Sequence, residues 1–138
     1  MSEPTYEVEP IGWVESPLET RAEAPRQGDE GSPPARLVFA DRVREGIRDL
    51  TVGSEILVLT WLDRSRRDVL STHPRDDLSA PELGVFSTRS PDRPNPIGLH
   101  RVSIVSIDGL RLGVRDLEAL NGTPIIDVKP VLGPVDER

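Results

Sequence analysis

The stretch from Gly84 to Val102, GVFSTRSPDRPNPIGLHRV, constrains this chain more than any other. Pro91, Pro94 and Pro96 each lack a backbone donor and fix φ, so the loop that they occupy, between an apolar strand signal and a long second strand, is neither a helix nor a central strand. Each proline also pushes the residue before it (Ser90, Arg93, Asn95) towards extended geometry. The result is a stiff loop that holds Arg89, Ser90, Arg93 and Asn95 in place. Rigid polar loops on strand scaffolds are where binding residues concentrate. The same composition also suits a plain surface turn.

The flanks supply the scaffold. Tyr6 to Glu15 alternates around Val8, Ile11 and Trp13 and predicts a first strand, kinked at Pro10. Residues 17–35 have no apolar period and predict a long loop, which contains the compact turn Pro25-Arg26-Gln27-Gly28. Arg36 to Ala40 predicts a short strand. Asp41 has the character of an N-cap, and Val43, Ile47 and Leu50 follow at helical spacing, which predicts one short helix over 41–49. Ser54 to Leu62, SEILVLTWL, is the most apolar run and predicts a core strand, with Trp61 more a core residue than a ligand platform. Short strands are expected at Val69–His73 and at Val85–Ser87. Ile97 to Ile107 predicts a long strand with Val102, Ile104 and Ile107 inward. Asp108-Gly109 is a hairpin signal. Leu110 to Leu117 returns, with Leu112 and Val114 apolar between Arg111 and Arg115. Asn121 to Pro124 is a turn before a last strand at Ile125–Val128. About seven strands, one short helix and many Gly/Pro turns predict an all-β barrel or a strongly curved sheet. No repeat or linker divides residues 1–138, so a single domain is expected, with its core over about 6–132.

Composition narrows the chemistry by exclusion. The chain has no cysteine, so disulfides, thiolate metal sites and a cysteine nucleophile are absent. No apolar run is long enough to span a membrane, and the N-terminus lacks a basic-then-apolar signal, so a cytoplasmic protein is expected. The net charge of -7 argues against non-specific nucleic-acid binding by the whole surface. That charge is uneven. Residues 1–35 hold eight acids against two bases, while residues 64–101 hold seven bases against five acids. There is no P-loop, no G-x-G-x-x-G opening a helix, no HExxH and no G-x-S-x-G. No metal is expected.

What remains is polar residues at strand ends and in stiff loops: Arg26 and Gln27; Asp63 and Arg64; Arg89, Ser90, Arg93 and Asn95; Asp127 and Lys129. His73 and His100 are available as bases, though an isolated histidine is as readily an ordinary exposed or packed residue. Asp127 and Lys129 share one face of the last strand, with Val128 turned to the core. That pair is either a surface ion pair or a carboxylate and cation beside a ligand. Arginines fork onto carboxylate or phosphate. The set suits binding of a small zwitterion or a nucleotide, and catalysis by positioning rather than by a covalent intermediate.

GVFSTRSPDRPNPIG closely resembles the signature of the TsaA-like (YaeB) family of TrmO-type tRNA methyltransferases. The resemblance extends over IGWVESP (11–17), PRQG (25–28), LVLTWLDRS (57–65) and LNGTPIIDVKP (120–130), in the family's order. It implies an antiparallel β-barrel that binds S-adenosylmethionine without a Rossmann fold. It further implies N6-methylation of threonylcarbamoyl-adenosine-37 beside the tRNA anticodon, by a homodimer whose cofactor site lies near the subunit interface. Carried over by position, it implies that Pro25, Arg26, Gln27, Asp63, Arg64, Arg89, Leu99 and the segment Asp116, Leu117, Glu118 and Ala119 meet the cofactor. Arg93, Asn95, Asp127 and Lys129 match motif positions on the pocket or tRNA side; of these, Arg93 and Asn95 are the candidate substrate contacts, and Asp127 and Lys129 the candidate catalytic residues, Asp127 to orient N6 or receive its proton. Asp63 stands where the family often has His. Longer bacterial members carry a further C-terminal domain, which is not expected in this chain. Methyl transfer to a small molecule or another nucleoside, and a non-enzymatic S-adenosylmethionine-binding module, are the alternatives.

Overall fold

The structure, a computed structural model, describes residues 3–19, 34–74 and 77–133. Its strands are β1 (Gly12–Glu15), β2 (Ala35–Phe39), β3 (Glu55–Trp61), β4 (Ser71–Thr72), β5 (Leu83–Gly84), β6 (Ile97–Asp108), β7 (Arg111–Arg115) and β8 (Pro124–Pro130). Six of them close an antiparallel barrel in the order β1-β2-β7-β6-β3-β8, because β1 pairs with both β2 and β8. Closure leaves no free edge in the wall. β4 and β5 form a separate two-stranded ribbon.

Period-two patterning builds the interior. Val14, Leu37, Phe39, Ile56, Val58, Val102, Ile104, Leu112, Val114 and Ile125 all point inward and are almost fully buried. Burying each such side chain contributes about 1.5–3 kcal/mol before entropy is counted. Leu117 and Ala119, from the β7–β8 connection, join the same cluster. Val43, Ile47 and Leu50 pack against it from the β2–β3 connection.

Two bulges set which residues face out. Between Leu59 and Thr60 the pairing with β8 slips by one, so that Thr60 faces Ile125 while Leu59 faces Asp127. Ile125 therefore points in, and Asp127 and Lys129 point out. A second slip between Ile104 and Ser106 brings Ile107 opposite Leu112, at the rim, where Ile107 stays 40% exposed.

Several expectations need correction. The first strand is confined to Gly12–Glu15, and residues 3–9 are exposed. With Pro10 beside them they join no ladder. The helix is a 3₁₀ helix over Asp41–Ile47, and its N-cap is Ala40, with no side-chain cap. Asp41 instead accepts hydrogen bonds from Arg44, at 2.8 and 3.1 Å. Val85–Ser87 is a 3₁₀ turn rather than a strand, and only Val85 in it is buried. Within Val69–His73 the strand is limited to Ser71–Thr72. Trp61 lies on the outer face of β3, because Ile56, Val58 and Thr60 take the inward parity.

Candidate functional site

Chain direction gathers the candidates. β1, β3 and β7 end where β2, β6 and β8 begin, because neighbouring strands are antiparallel. The β1–β2, β3–β6 and β7–β8 connections therefore meet at one end of the barrel. Asp63, Arg64, Arg89, Arg93 and Asn95 lie in the β3–β6 connection, and Asp116, Leu117, Glu118 and Ala119 lie in the β7–β8 connection. Pro25, Arg26 and Gln27 fall in the β1–β2 connection, outside the described residues.

Hydrogen bonds tie the three connections together. Asn121 accepts from Ser16 N–H at 3.1 Å, and Asn121 N–H donates to the Leu18 carbonyl at 2.7 Å. Arg64 donates to the Glu19 carbonyl. Leu62 N–H donates to the Pro96 carbonyl at 2.8 Å. Asp116 is the one described non-glycine residue with positive φ, at 69°. Asp tolerates this left-handed geometry better than most residues, and such backbone clusters at functional sites.

The Pro-rich loop is held by arginines. Arg93 donates to the carbonyls of Val85 (2.9 Å), Thr88 (3.0 Å) and Ser90 (3.0 Å), and lies 5.9 Å from the Phe86 ring centroid. Arg67 donates to the Pro94 carbonyl at 2.7 Å and to Asn95 Oδ1 at 2.9 Å, and stacks on Trp61 at 5.1 Å. Asp92 accepts from Arg66 N–H at 2.9 Å. Arg66 is paired with Asp68, whose hydrogen bond to the guanidinium holds the Asp68 carboxyl below its usual range. Arg89 is exposed and makes no hydrogen bond or ion pair among the described residues.

The other candidates lie on the outer wall. Leu99 is 47% exposed and faces Leu59, whose opposite neighbour is Asp127. Leu99 and Asp127 are thus about 10 Å apart across two strand spacings. Asp127 Oδ1 accepts from Val128 N–H at 2.9 Å, and Oδ2 lies 3.1 Å from Lys129 Nζ. A groove bounded by Val8, Pro10, Trp61, Pro124 and Ile126 contains none of the candidate residues. No group of three or more His, Asp or Glu among the described residues is placed to hold a metal ion, and no helix among them is long and apolar enough to cross a membrane.

One polar pair escaped the sequence reading. Thr60 Oγ1 and His100 Nε2 are hydrogen-bonded at 2.8 Å on the inner face of the wall, with Thr60 fully buried and His100 partly so. Desolvation lowers the His100 pKa to about 4, so the ring is neutral at pH 7. Gly98 lies opposite Thr60, and a Cβ there would meet Thr60 Oγ1 at 2.5 Å and His100 Nε2 at 2.7 Å. The strand parity of Thr60 with Val58, and of His100 with Val102, was the available signal. His73, the other histidine, has its Nδ1 2.9 Å from the Ala80 carbonyl and its Nε2 3.7 Å from Glu82.

A closed β-barrel with its polar loops gathered at one end defines a class of binding scaffold rather than an activity. The family model for the tRNA-methyltransferase O N-terminal domain matches residues 13–137, and the chain belongs to that family. An S-adenosyl-L-methionine-binding protein of Archaeoglobus fulgidus is 41% identical over 129 residues, covering 94% of this chain and 91% of the relative. A protein of Methanothermobacter thermautotrophicus, named "Probable S-adenosyl-L-methionine-binding protein", is 40% identical, covering 99% of this chain and 97% of the relative. The crystal structure of TrmO from Pseudomonas aeruginosa superposes with a TM-score of 0.75 at 27% identity, covering 95% of this chain. This chain spans 56% of that solved chain.

Proposed function

We propose that this chain is an S-adenosylmethionine-dependent methyltransferase acting on N6 of threonylcarbamoyl-adenosine-37 in tRNA. The observation that carries this reading is the convergence of the β3–β6 and β7–β8 connections at one barrel end, in a chain matching the family from residue 13 to 137. The residues there fit the donor's parts. Arg89 offers an uncommitted guanidinium for its carboxylate. Exposed Asp63 and Asp116 offer acceptors for its ammonium and hydroxyl groups, and Leu99 offers an apolar surface. Pro25, Arg26, Gln27 and Arg64, with the backbone from Leu117 to Ala119, complete the proposed set.

When bound, S-adenosylmethionine supplies a methyl group on a sulfonium, open to attack by the carbamoyl-bearing N6 as that nitrogen gives up its proton. The chain's contribution is alignment and exclusion of water. Asp127 orients N6 and receives its proton, and Lys129 holds the Asp127 carboxylate in place. Asn95, fixed by Arg67, lies on the substrate side. The protein works as a cytoplasmic homodimer, with the exposed apolar residues Leu70, Leu78, Leu83 and Phe86 of the β3–β6 connection available to a partner.

The test is transfer from labelled S-adenosylmethionine to threonylcarbamoyl-modified tRNA, read by mass spectrometry of the nucleosides. Methylated threonylcarbamoyl-adenosine is the expected product, lost in Arg89→Ala and Asp127→Ala while both variants stay folded. Absence of that product overturns the substrate, and full activity in both variants overturns the site.

A second reading, methylation of a small molecule or another nucleoside, is favoured by one observation. Phosphate contacts supply much of nucleic-acid affinity. Of Arg64, Arg66, Arg67, Arg89 and Arg93 in the β3–β6 connection, all but Arg89 have partners within the described chain, and the net charge is -7. Turnover of a metabolite pool with no change in tRNA nucleosides would select it. Binding of the donor, which is all that the archaeal relatives' names state, with no turnover of either would select a non-enzymatic module.

A further inference from the structure

We propose that Arg93 is a positioning residue for Arg89 rather than a ligand contact, an inference that rests on Arg89 meeting the donor carboxylate. Its guanidinium reaches the backbone on both sides of Arg89. One terminal nitrogen donates to the carbonyls of Thr88 and Ser90, each at 3.0 Å. The other donates to the Val85 carbonyl at 2.9 Å. That same carbonyl accepts from Thr88 N–H at 3.0 Å and from Thr88 Oγ1 at 2.9 Å. Thr88 Oγ1 in turn accepts from Ser90 N–H at 3.1 Å.

Apart from the Arg93–Val85 bond, every hydrogen bond in this knot involves Thr88 or Ser90, the immediate neighbours of Arg89, and none uses the Arg89 side chain. Arg93 is itself anchored, because its own N–H donates to the Arg66 carbonyl at 3.0 Å, on the opposite arm of the connection. Its guanidinium also lies over the Phe86 ring, 5.9 Å from the centroid. The surroundings offer little else to fix this turn, since Phe86, Ser87 and Arg89 are exposed. Three carbonyls at fixed angles call for a planar fork of donors, which a lysine ammonium does not reproduce.

The experiment is calorimetric titration of S-adenosylmethionine into the full chain and into Arg93→Ala, Arg93→Lys, Arg89→Ala and the double variant Arg89→Ala/Arg93→Ala. Amide hydrogen exchange is followed at Thr88 and Ser90 without ligand. Arg93→Ala and Arg93→Lys should each weaken binding roughly tenfold or more through lost preorganisation. The double variant should bind within about twofold of Arg89→Ala alone, because Arg93 acts through Arg89. Exchange at Thr88 and Ser90 should rise about tenfold in both Arg93 variants and stay unchanged in Arg89→Ala.

Losses that add in the double variant would make Arg93 a ligand contact and overturn the proposal. So would a lysine variant that binds like the parent, or unchanged exchange in Arg93→Ala. A parent protein that fails to bind S-adenosylmethionine overturns the donor reading and, with it, the claim that Arg93 tunes affinity. The exchange data then decide separately whether Arg93 fixes the turn.

Discussion

The barrel wall and the long connection between β3 and β6 hold their shape by different means. The wall relies on ladders and on an apolar interior to which every barrel strand contributes. The connection buries little besides Val85 and Pro96, and relies on charged side chains donating to carbonyls. Apolar burial is insensitive to the angle at which groups meet, whereas a guanidinium fork is highly sensitive to it. The wall is thus tolerant in detail and large in energy. The connection is small in energy and exact in geometry, which suits a segment that must present Arg89.

The largest break in this contrast should come from the wall. Leu112→Ala removes a fully buried side chain and should cost about 2–5 kcal/mol in denaturant unfolding. A loss below that range would mean that the interior is less tightly packed than the buried positions imply. Acid should strike the wall next. The folded His100 pKa is about 4, below the ordinary value of 6.5, so the unfolded chain binds more protons between them. That contribution, up to about 3 kcal/mol, is fully present above pH 6.5 and is lost as pH falls towards 4. Unfolding midpoints measured from pH 7 to pH 4 should fall with this profile, and His100→Gln should flatten it.

Gly98→Ala probes the same pair by crowding. The added methyl meets the Thr60 hydroxyl and the His100 ring, and a cost of about 1–3 kcal/mol is expected from thermal unfolding. Arg67→Ala sharpens the other side of the comparison. It should leave the unfolding midpoint nearly unmoved, because its partners are an exposed loop and a half-exposed indole. It should nonetheless alter Trp61 fluorescence and weaken substrate turnover. A large fall in stability would show that the connection supports the wall. Glu55→Gln should do least. Its pairing with Arg101 lowers the Glu55 pKa, but both groups lie on the surface, where such pairs contribute little and fade with salt.

Much of this was legible in local sequence. Alternation placed Leu112 and Val114 inward, Asp108-Gly109 closed its hairpin, and the three prolines excluded regular structure between Thr88 and Pro96. The errors have a common origin. Val85-Phe86-Ser87 has strand-like residues, yet it forms a turn whose Val85 carbonyl accepts from Thr88 and Arg93. Trp61 is as apolar as its neighbours, and only its parity in β3 turns it outward. Asp41 has a capping side chain, but it lies one residue inside the helix, whose N-cap is Ala40, and its carboxylate accepts from Arg44.

The sequence by itself determined the wall, because period-two burial is a property of neighbours along one strand. It also determined that the loop between Thr88 and Pro96 would be stiff, because proline restricts its own φ and its neighbour's ψ without help from elsewhere. Tertiary structure alone decided how the loop's arginines are used. Arg67 and Arg93 donate to carbonyls brought near by folding, and Arg89 has no partner among the described residues. It also decided that Ile125 faces in although Asp127, two residues on, faces out, since that follows from a one-residue slip against β3. Hydrogen-bond partners distant in sequence, and the register between strands, exist only once the barrel has closed.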